Sequence, residues 1–459
     1  MNLAEFVVTA TPPPEARAGA ARALLDTVGV TLAGASQPAA RIVQGVIEAE
    51  GRGPCRVLGT ALHASPGNAA LANGTAAHAL DYDDMCFVSL AHPSAPLVSA
   101  ALAAAETAAA SGRALLDAYV VGFELEGRLG RAMNPRHYQR GWHCTSTLGT
   151  IGAAAAASRL LGLDAKAAGH ALAIAASEAS GVKENFGTMV KPLHAGLAAR
   201  NGILAAQLAK GGMAASAAAI DGPQGFLAAM DSQHPALDGV TGDLGTRWEI
   251  LDTGITVKLY PSCAGTHPAL DALLDLKRRE GFTGDDVEAV DIGVDPIVPT
   301  ILLYDRPSSG LEAKFSMPFC AASAIVCGHV GLDTFEASQI ADPAIVAMQA
   351  RVSMRIDPAL DGSAPPLTQA RVTVRLRDGR VLTAWANGAR GYHDRPASDD
   401  ELAAKFRSCA IQAMSEEQAR ETLAALRDIE SVSDVRSVRL GGQGRGSGIR
   451  DQGSGIRDQ

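Results

Sequence analysis

Apolar and polar positions follow a helical period along the first half of the chain. Helices are predicted over residues 15–35, 66–79, 96–110, 114–129, 148–163, 165–176 and 193–210. Ser65 before Pro66 marks the start of one helix, and Gly211-Gly212 marks the end of another. Glycines within these helices cost stability, which close helix–helix contacts can offset. The pattern predicts an all-helical first domain over residues 1–265.

Alternating patterns replace the helical period after about residue 265. Residues 286–295 and 351–357 alternate apolar and polar side chains, and 372–385 contains two such runs joined at Asp378-Gly379, a hairpin signal. One helix is predicted within this region, over 314–326. The sequence therefore predicts an α+β lid domain over residues 266–398.

The helical pattern returns at Asp399, where Ser415 to Gln418 forms a capping box for a later helix. We expect residues 399–440 to return to the helical domain, so the predicted fold is mainly α with an α+β lid. The repeat "GSGIRDQGSGIRDQ" in 441–459 lacks apolar periodicity and predicts a disordered tail.

Composition narrows the class of protein. The chain has 459 residues, enough for two domains, with 47% hydrophobic, 19% charged and 4% aromatic residues. The net charge of −9 and the lack of a basic cluster argue against nucleic acid as a partner. No apolar run predicts a membrane span, and the first residues lack the features of a secretory signal. Seven scattered cysteines fit reduced thiols, so we expect a cytoplasmic protein.

The most unusual stretch is His78 to Pro96, "HALDYDDMCFVSLAHPSAP". It gathers Asp81, Asp83, Asp84 and His92 immediately before an apolar helix. A helix N-terminus carries unpaired N–H groups and a partial positive charge, so polar residues there can form an anion site.

Three other stretches repeat this arrangement. "GWHCTSTLGT" supplies His143 and Thr145, "ENFGTMVKPLHAGLAARNG" supplies Lys191, His194 and Arg200, and "VKLYPSCAGTHPALDAL" supplies Lys258, Tyr260, Cys263 and His267. Lys191 and His194 share one helix face because they are three residues apart. Histidine, lysine and several helix N-termini together would suit an anion with several carboxylates.

Each candidate also has a purely structural interpretation. The Asp81 cluster could cap a helix from a solvated loop, Lys191 could be a surface lysine, and Lys258 and His267 could mark a strand end and a helix cap. His92, His143 and His194 could be buried or helix-face histidines. The remaining histidines are interpreted as structural or exposed: His63, His78, His137, His170, His234, His329 and His393.

The four stretches and "EAKFSMPFCAASAIVCG", in this order, resemble the MmgE/PrpD family over about Leu3 to Ile429. That family includes 2-methylcitrate dehydratase, cis-aconitate decarboxylase and iminodisuccinate epimerase. The resemblance implies a homodimer that acts on a small polycarboxylate without metal or organic cofactor. By motif, it implies catalytic roles for Asp81, His92, His143, Lys191 and Lys258, and substrate contacts for a second set: Met85, Thr145, His194, Arg200, Tyr260, Cys263 and His267.

Several positions depart from the family pattern. Met85 stands where threonine is frequent, Phe319 stands where several relatives have tyrosine, and one extra residue separates Asp81 from His92 compared with the decarboxylase branch. The stretches around His143 and Lys191 are most similar to the epimerase branch. These departures leave the substrate and the outcome of the reaction open.

The shared chemistry of the family is a carbanion next to a carboxylate, which needs a base and positive charge on the developing enediolate. We expect His92 or His143 to move the proton, Asp81 to orient a histidine and raise its pKa, and Lys191 and Lys258 to hold carboxylates. Dehydration of a 2-methylcitrate-like acid is the first expectation. Epimerisation, decarboxylation and a non-catalytic binding protein are the alternatives.

Individual motifs in the sequence are also typical of two classes of metal-dependent enzyme. Asp81-x-Asp83-Asp84 resembles the acidic motif of a magnesium-dependent isoprenoid synthase, but the chain has few aromatic residues and lacks a second such motif. An iron–sulfur dehydratase would need cysteine ligands, for which Cys86, Cys144 and Cys263 are the candidates. We expect neither metal.

Overall fold

The structure is a computed structural model that describes residues 2–230, 241–360 and 368–440. The predicted tail 441–459 and His234 lie outside the described residues. The described chain is 56% helical with a small mixed sheet, which confirms the predicted fold class of mainly α with an α+β part.

The first part of the chain is a packed array of helices. In chain order, its helices are α1 (Leu3–Thr9), α2 (Pro14–Gly34), α3 (Pro38–Ala49), α4 (Pro66–His78), α5 (Ser94–Ala108), α6 (Gly112–Met133), α7 (Arg136–Gln139), α8 (Cys144–Leu160), α9 (Ala165–Glu178), α10 (Val190–Lys210), α11 (Phe226–Ala229) and α12 (Glu249–Asp252). A two-stranded ribbon, β1 (Cys55–Arg56) and β2 (His63–Ala64), precedes α4. Alanine-rich helices α4, α5, α8 and α10 form the centre of this array.

Helices α4 and α10 approach each other closely because glycines face each other at their crossing. A Cβ added to Gly74 would lie 2.8 Å from the Cα of Gly196, and one added to Gly196 would lie 2.3 Å from the carbonyl oxygen of Leu71. No side chain larger than hydrogen fits between these backbones. The C-terminal end of α4 is thereby brought to the N-terminal end of α10.

The second part of the chain is built around a four-stranded sheet. Its elements are α13 (His267–Glu280), β3 (Val287–Val294), α14 (Gly310–Ala313), α15 (Met317–Cys327), α16 (Ala337–Ile340), α17 (Pro343–Gln349), β4 (Val352–Ile356), β5 (Gln369–Leu376) and β6 (Val381–Asn387). The strand order is β4-β3-β5-β6, with β3–β4 parallel and the other pairs antiparallel. The predicted hairpin joins β5 to β6, and Gly379 supplies its left-handed residue at φ +88°. Helices α13 and α15 cover the apolar face of the sheet.

The chain then returns to the first helices. Helices α18 (Asp399–Ala410) and α19 (Glu416–Arg427) pack against α2, and the capping box of Ser415 and Gln418 is present. Lys405 of α18 forms a buried ion pair with Asp26 of α2, 2.7 Å apart, and donates to the carbonyl of Tyr82. One hydrophobic core accordingly joins residues between 3 and 257 to residues between 397 and 440, while a second core lies between 260 and 386.

Several helices start earlier than the apolar pattern predicts. Helix α5 starts at Ser94, α8 at Cys144 and α10 at Val190. Their first turns contain polar residues or proline, such as Ser94, Thr145 and Lys191, which interrupt the apolar period. The functional stretches are therefore the first turns of the helices themselves.

The helix predicted over 314–326 is present as α15, but it starts three residues later, at Met317, and the short helix α14 precedes it. Ser316 caps α15 by accepting the N–H of Phe319 at 3.2 Å, and Pro318 favours the first turn of a new helix. Lys314 and Phe315 consequently lie in the break between the helices. Among the described residues, no helix combines the length and apolarity needed to cross a membrane.

The glycine crossing predicts a specific loss of stability. Replacing Gly196 by alanine should lower the free energy of unfolding by about 1–3 kcal/mol, because the new methyl group overlaps the backbone of α4. Gly45→Ala is the matched control, since this helical glycine of α3 has open space around its Cβ position and alanine is the better helix former. Urea unfolding compares the two variants. Equal effects of the two substitutions would contradict the packing described.

Candidate active site

A buried polar cluster forms where the ends of three helices meet two loop segments. The cluster combines the last residue of α4, the loop from α4 to α5, the first turns of α8 and α10, and the segment before α13. Its chemical groups are His78, Asp81, Asp83, His92, His143, Lys191, His194 and Lys258, and all are buried. The four polar stretches of the sequence, far apart along the chain, therefore meet in one place.

Asp81 lies at the centre of the cluster and contacts two lysines. Its carboxylate forms an ion pair with Lys191 through one oxygen, and its other oxygen lies 3.1 Å from the Nζ of Lys258. Lys258 also donates to the backbone carbonyl of Asp81 at 2.8 Å. Burial raises the pKa of the Asp81 carboxyl, but the two lysines outweigh burial and hold that pKa well below its ordinary value. Asp81 is therefore an anion shared by two buried cations.

Asp83 joins two histidines. One carboxylate oxygen contacts the Nδ1 of His78 at 2.7 Å, and the other lies 3.5 Å from the Nδ1 of His92. Asp81 is farther from His92, at 3.8 Å from its Nε2. Asp83 is thus the carboxylate nearer to His92, and the role predicted for Asp81, that of orienting a histidine, stays a prediction. Burial lowers the pKa of His92, and the carboxylate of Asp83 only partly offsets that effect.

His78 was interpreted from sequence as structural or exposed, and the structure corrects this interpretation. Its ring lies between those of His92 and His143, with centroids 4.5 and 5.7 Å away. Burial lowers the pKa of His78 to about 3, so the ring is neutral at pH 7. His78 sits three residues before Asp81, at the last turn of α4, and that position was the signal in the sequence that could have identified it.

His143 and His194 form a second imidazole pair. Their Nδ1 atoms are 3.0 Å apart, so one ring donates to the other. Burial, together with nearby His78 and Lys191, holds the pKa of His143 well below its ordinary value, and burial lowers the pKa of His194 to about 4. With Nδ1 engaged in this hydrogen bond, the Nε2 of His143 has no hydrogen-bond partner among the described residues. This nitrogen is available to a ligand.

Two phenylalanines, which the sequence analysis did not identify, contact the catalytic candidates. The Nζ of Lys191 lies 5.3 Å from the ring centre of Phe186 and 5.1 Å from that of Phe315. The edge of Phe186 also meets His143, with centroids 4.9 Å apart. Both ring centres therefore lie within the range of a cation–π contact with this ammonium group.

Asp84, the third acid of the first stretch, points away from Asp81 and Asp83. Its carboxyl accepts hydrogen bonds from the backbone and the hydroxyl of Ser94, and that hydroxyl contacts the Tyr119 hydroxyl at 2.6 Å. Burial raises the pKa of Asp84 to about 8. The three acids therefore do not face one common point, as the magnesium motif of an isoprenoid synthase would require.

The residues predicted to contact substrate do not all lie at the cluster. Thr145 accepts the backbone N–H of His92 at 2.9 Å, and Met85 pairs with Thr256 through two backbone hydrogen bonds, 2.8 and 2.7 Å long. Both fix the loops that carry the cluster. Arg200 is not brought to the cluster: it is exposed on α10, nine residues beyond Lys191, which is about 13 Å along a helix.

The segment after Lys258 lies beside the cluster. Tyr260 donates to Asp271 at 2.6 Å and meets His267 edge-on, while His267 contacts the carbonyl of Ser262 at 3.1 Å. Cys263 is buried, and its pKa is raised first by burial and then by Asp81. The side chains of Tyr260 and His267 are thus engaged in the second core, whereas Cys263 lies near the Asp81 carboxylate.

A potential metal-ligand set lies within the cluster. The described residues include one group of this kind, in which ligand atoms of His78, Asp81, Asp83 and His92 lie within 4.8 Å of one another. Asp81 is already neutralised by two lysine ammonium groups, which would repel a dication at this point. The set contains no cysteine, and burial raises the pKa of Cys86 and Cys144 to about 12. The donor set therefore fits an ion-pair network better than a metal or an iron–sulfur cluster.

Two cavities adjoin the cluster. A small pocket of about 10 Å³ touches His78, Asp81 and Lys191. A cavity of about 580 Å³ lies outside it, between the first helices and the segment from Ser309 to Glu336. Lys314 lines both spaces, as do Ala79, Pro192 and Leu311. The larger cavity has the volume of a small-molecule site and shares these lining residues with the small pocket at the cluster.

Residues 1–237 match the MmgE/PrpD N-terminal domain, and residues 260–431 match the MmgE/PrpD C-terminal domain. The chain belongs to the MmgE/PrpD family. The C-terminal match includes α18 and α19, which pack on α2 of the first helices.

Members of this family that are similar to the chain include several decarboxylases. Human cis-aconitate decarboxylase is 29% identical over 383 residues, covering 80% of this chain and 78% of the relative. The cis-aconitate decarboxylase-like protein oryM of Aspergillus oryzae is 28% identical over 436 residues, covering 90% of each. Cis-aconitate decarboxylase of Aspergillus terreus is 25% identical over 436 residues, covering 90% and 88%.

The shared anion predicts that Asp81→Asn is strongly destabilising. The substitution keeps the shape of the side chain but leaves Lys191 and Lys258 buried without a counter-ion, a loss of about 3–5 kcal/mol in the free energy of unfolding. Asp275→Asn is the control, because Asp275 pairs with Arg278 and Arg279 in solvent, and its loss should be below about 1 kcal/mol. Similar losses in urea unfolding would show that the central ion pairs are not needed.

The raised pKa of Asp84 predicts how stability changes with pH. Its folded-state pKa of about 8 lies above the unfolded value of about 3.9, so the folded protein binds more protons between these values. This group therefore makes stability fall as the pH rises from about 4 to about 8. Asp84→Asn should reduce that fall, measured as the free energy of unfolding at pH 5 and pH 8. A variant with an unchanged slope would contradict the prediction, and Asp275→Asn, in solvent, should keep the slope.

Proposed function

We propose that this protein is a lyase that acts on a small di- or tricarboxylate, with decarboxylation of a cis-aconitate-type acid as the first candidate reaction. The proposal rests on one observation above all: two buried lysines and neutral histidines surround the same small volume. The names of the similar family members support a lyase and a polycarboxylate. The choice of decarboxylation over dehydration rests on those names.

Lys191 and Lys258 supply the positive charge. In the structure both ammonium groups hold the Asp81 carboxylate, so a substrate carboxylate would exchange with Asp81 or join it between them. Charge-assisted hydrogen bonds in a buried site are stronger than those in water. The same lysines would stabilise the negative charge that develops on a substrate carboxylate during proton transfer.

His92 and His143 supply the proton transfer. Their lowered pKa values keep both rings neutral at pH 7, so either can accept a proton from a carbon next to a carboxylate. A bound polyanion would raise these pKa values, because it places negative charge beside the rings. A histidine protonated in this way can return a proton to the substrate. Asp83 and His194 hold the two rings through their Nδ1 atoms.

The proposed decarboxylation would proceed in two steps. The bond between a carboxylate and the substrate carbon breaks, CO₂ leaves, and the electron pair stays on the carbon skeleton as an enediolate. A proton from His92 or His143 then neutralises the carbanion, and the histidine regains a proton from solvent. The lysines lower the energy of the intermediate, which carries its charge on carboxylate oxygens.

Dehydration of a 2-methylcitrate-like acid is the second candidate. It would start with removal of the proton next to a carboxylate by His92 or His143, after which a β-hydroxyl would leave as water. The resemblance to the family implies one extra residue between Asp81 and His92 relative to the decarboxylase branch, which supports keeping this candidate. The same loop carries Leu90 in the left-handed region at φ +50°.

The test is turnover of a panel of citrate-like, aconitate-like and succinate-like acids by wild type and variants. His92→Ala and Lys191→Ala should each lower kcat/KM by about 100-fold or more, since each removes a group needed in the transition state. His63→Ala and Lys210→Ala are matched controls, because both side chains are outside the cluster and Lys210 lies on the same helix as Lys191. CO₂ release and loss of water identify the reaction.

Two outcomes would count against the proposal. Full activity in His92→Ala or Lys191→Ala would remove these residues from the mechanism. Binding of these acids by wild type without turnover of any of them would favour a non-catalytic protein derived from the family.

A further inference from the structure

Lys314 is a buried lysine that the mechanism does not yet use. It lies in the break between α14 and α15, and its side chain lines both the cavity of about 580 Å³ and the small pocket at His78, Asp81 and Lys191. Its backbone carbonyl accepts the N–H of Cys263 at 3.0 Å, which fixes it beside the segment that carries Lys258. Lys314 thus stands between the outer cavity and the proton-transfer groups.

The partners of Lys314 differ from those of the other buried lysines. Lys191 and Lys258 pair with Asp81, and Lys405 pairs with Asp26. Within the part of the chain that the structure describes, no carboxylate lies within 4 Å of the Nζ of Lys314. That ammonium donates to the carbonyl of Pro261 at 2.7 Å and lies 4.2 Å from the ring centre of Phe335.

This environment favours a cation but does not neutralise it. A carbonyl oxygen and an aromatic face both attract an ammonium group, whereas burial without a counter-ion is costly. Burial is the main reason that the pKa of Lys314 falls to about 7; the more distant Asp81 opposes this fall, and Lys258 and Lys191 add to it. A carboxylate arriving from the cavity would supply the missing counter-ion.

The three lysines also differ in the spaces that they line. Lys258 is fully buried beside Asp81, Lys191 lines the small pocket, and Lys314 lines both the small pocket and the outer cavity. A substrate whose reacting end lies at Lys191 and Lys258 would place its remote end near Lys314. A dicarboxylate held by the two inner lysines has no further carboxylate for this position.

We propose that Lys314 binds the substrate carboxylate farthest from the reacting carbon and so selects tricarboxylates over dicarboxylates. The inference rests on the proposed function, since it assumes that a polycarboxylate binds at Lys191 and Lys258. In this proposal, the break between α14 and α15, in the part of the chain that forms the second core, contributes to substrate selection. A purely structural role, tying Pro261 to the helix break, would affect stability without changing the preference between acids.

The experiment compares calorimetric Kd values for tricarballylate, an unreactive tricarboxylate, and glutarate, a dicarboxylate. Lys314→Met should weaken tricarballylate binding by about tenfold or more, the effect of losing one charged hydrogen bond, and glutarate binding by less than about twofold. Lys277→Met is the matched control: Lys277 also donates to a carbonyl, that of Ile325, and faces the ring of Phe282, but lies away from this cavity. It should change neither Kd.

A second variant separates charge from folding. Lys314→Gln can still donate to the Pro261 carbonyl, so it should fold and lose the preference for tricarballylate as Lys314→Met does. Equal weakening of both acids, or unchanged binding of tricarballylate, in either folded variant would overturn the assignment of Lys314. A wild type that binds neither acid would instead overturn the proposed function, and this inference with it.

Discussion

The structure depends on the sharing of one carboxylate, that of Asp81, by Lys191 and Lys258. Each of these residues comes from a different part of the chain: the loop after α4, the first turn of α10 and the segment before α13. A buried lysine without a counter-ion is costly, so each of the two lysines needs this anion. The same anion keeps two cations close together at a point where a substrate carboxylate can reach them. Asp81 therefore contributes both to the stability of the folded protein and to the proposed binding of a substrate carboxylate.

Packing of the helices makes that ion pair possible. The crossing of α4 and α10 at Gly74 and Gly196 brings the end of one helix against the start of the other. His78 is carried by the end of α4, and Lys191 and His194 by the first turns of α10. The backbone left-handed turn at Asp81, with φ +51°, then directs the loop back across the cluster. Small residues in the helices therefore allow the close packing that brings the polar residues at the helix ends together.

Sequence patterns predicted much of this organisation. The helical and alternating periods predicted the fold class, which the structure confirms, and the glycines predicted close helix contacts. The predicted helix starts are later than the observed starts at Ser94, Cys144 and Val190, because polar residues or proline in the first turns interrupt the apolar period. The four polar stretches were singled out correctly as groups that could meet. Their catalytic and substrate-binding roles stay predictions.

Other features depend on three-dimensional contacts that a single sequence does not encode locally. His78 has the local pattern of an ordinary helix-end histidine, and only the position of Asp83 shows that it belongs to the cluster. The distances that place Asp83, rather than Asp81, nearer to His92 arise from the fold of the loop. The sequence pattern predicts Lys314 as the first residue of a helix. In the structure, Ser316 caps α15, so Lys314 lies in the break between α14 and α15.

The central claim is that this cluster moves a proton at a carbon next to a carboxylate. The most direct measurement is incubation of wild type with aconitate-like and citrate-like acids in D₂O, followed by proton NMR of that carbon. The account predicts that deuterium enters at this carbon with wild type and that incorporation is at least about 100-fold slower with His92→Ala. Product formed without deuterium at that carbon, or equal incorporation by the variant, would contradict it.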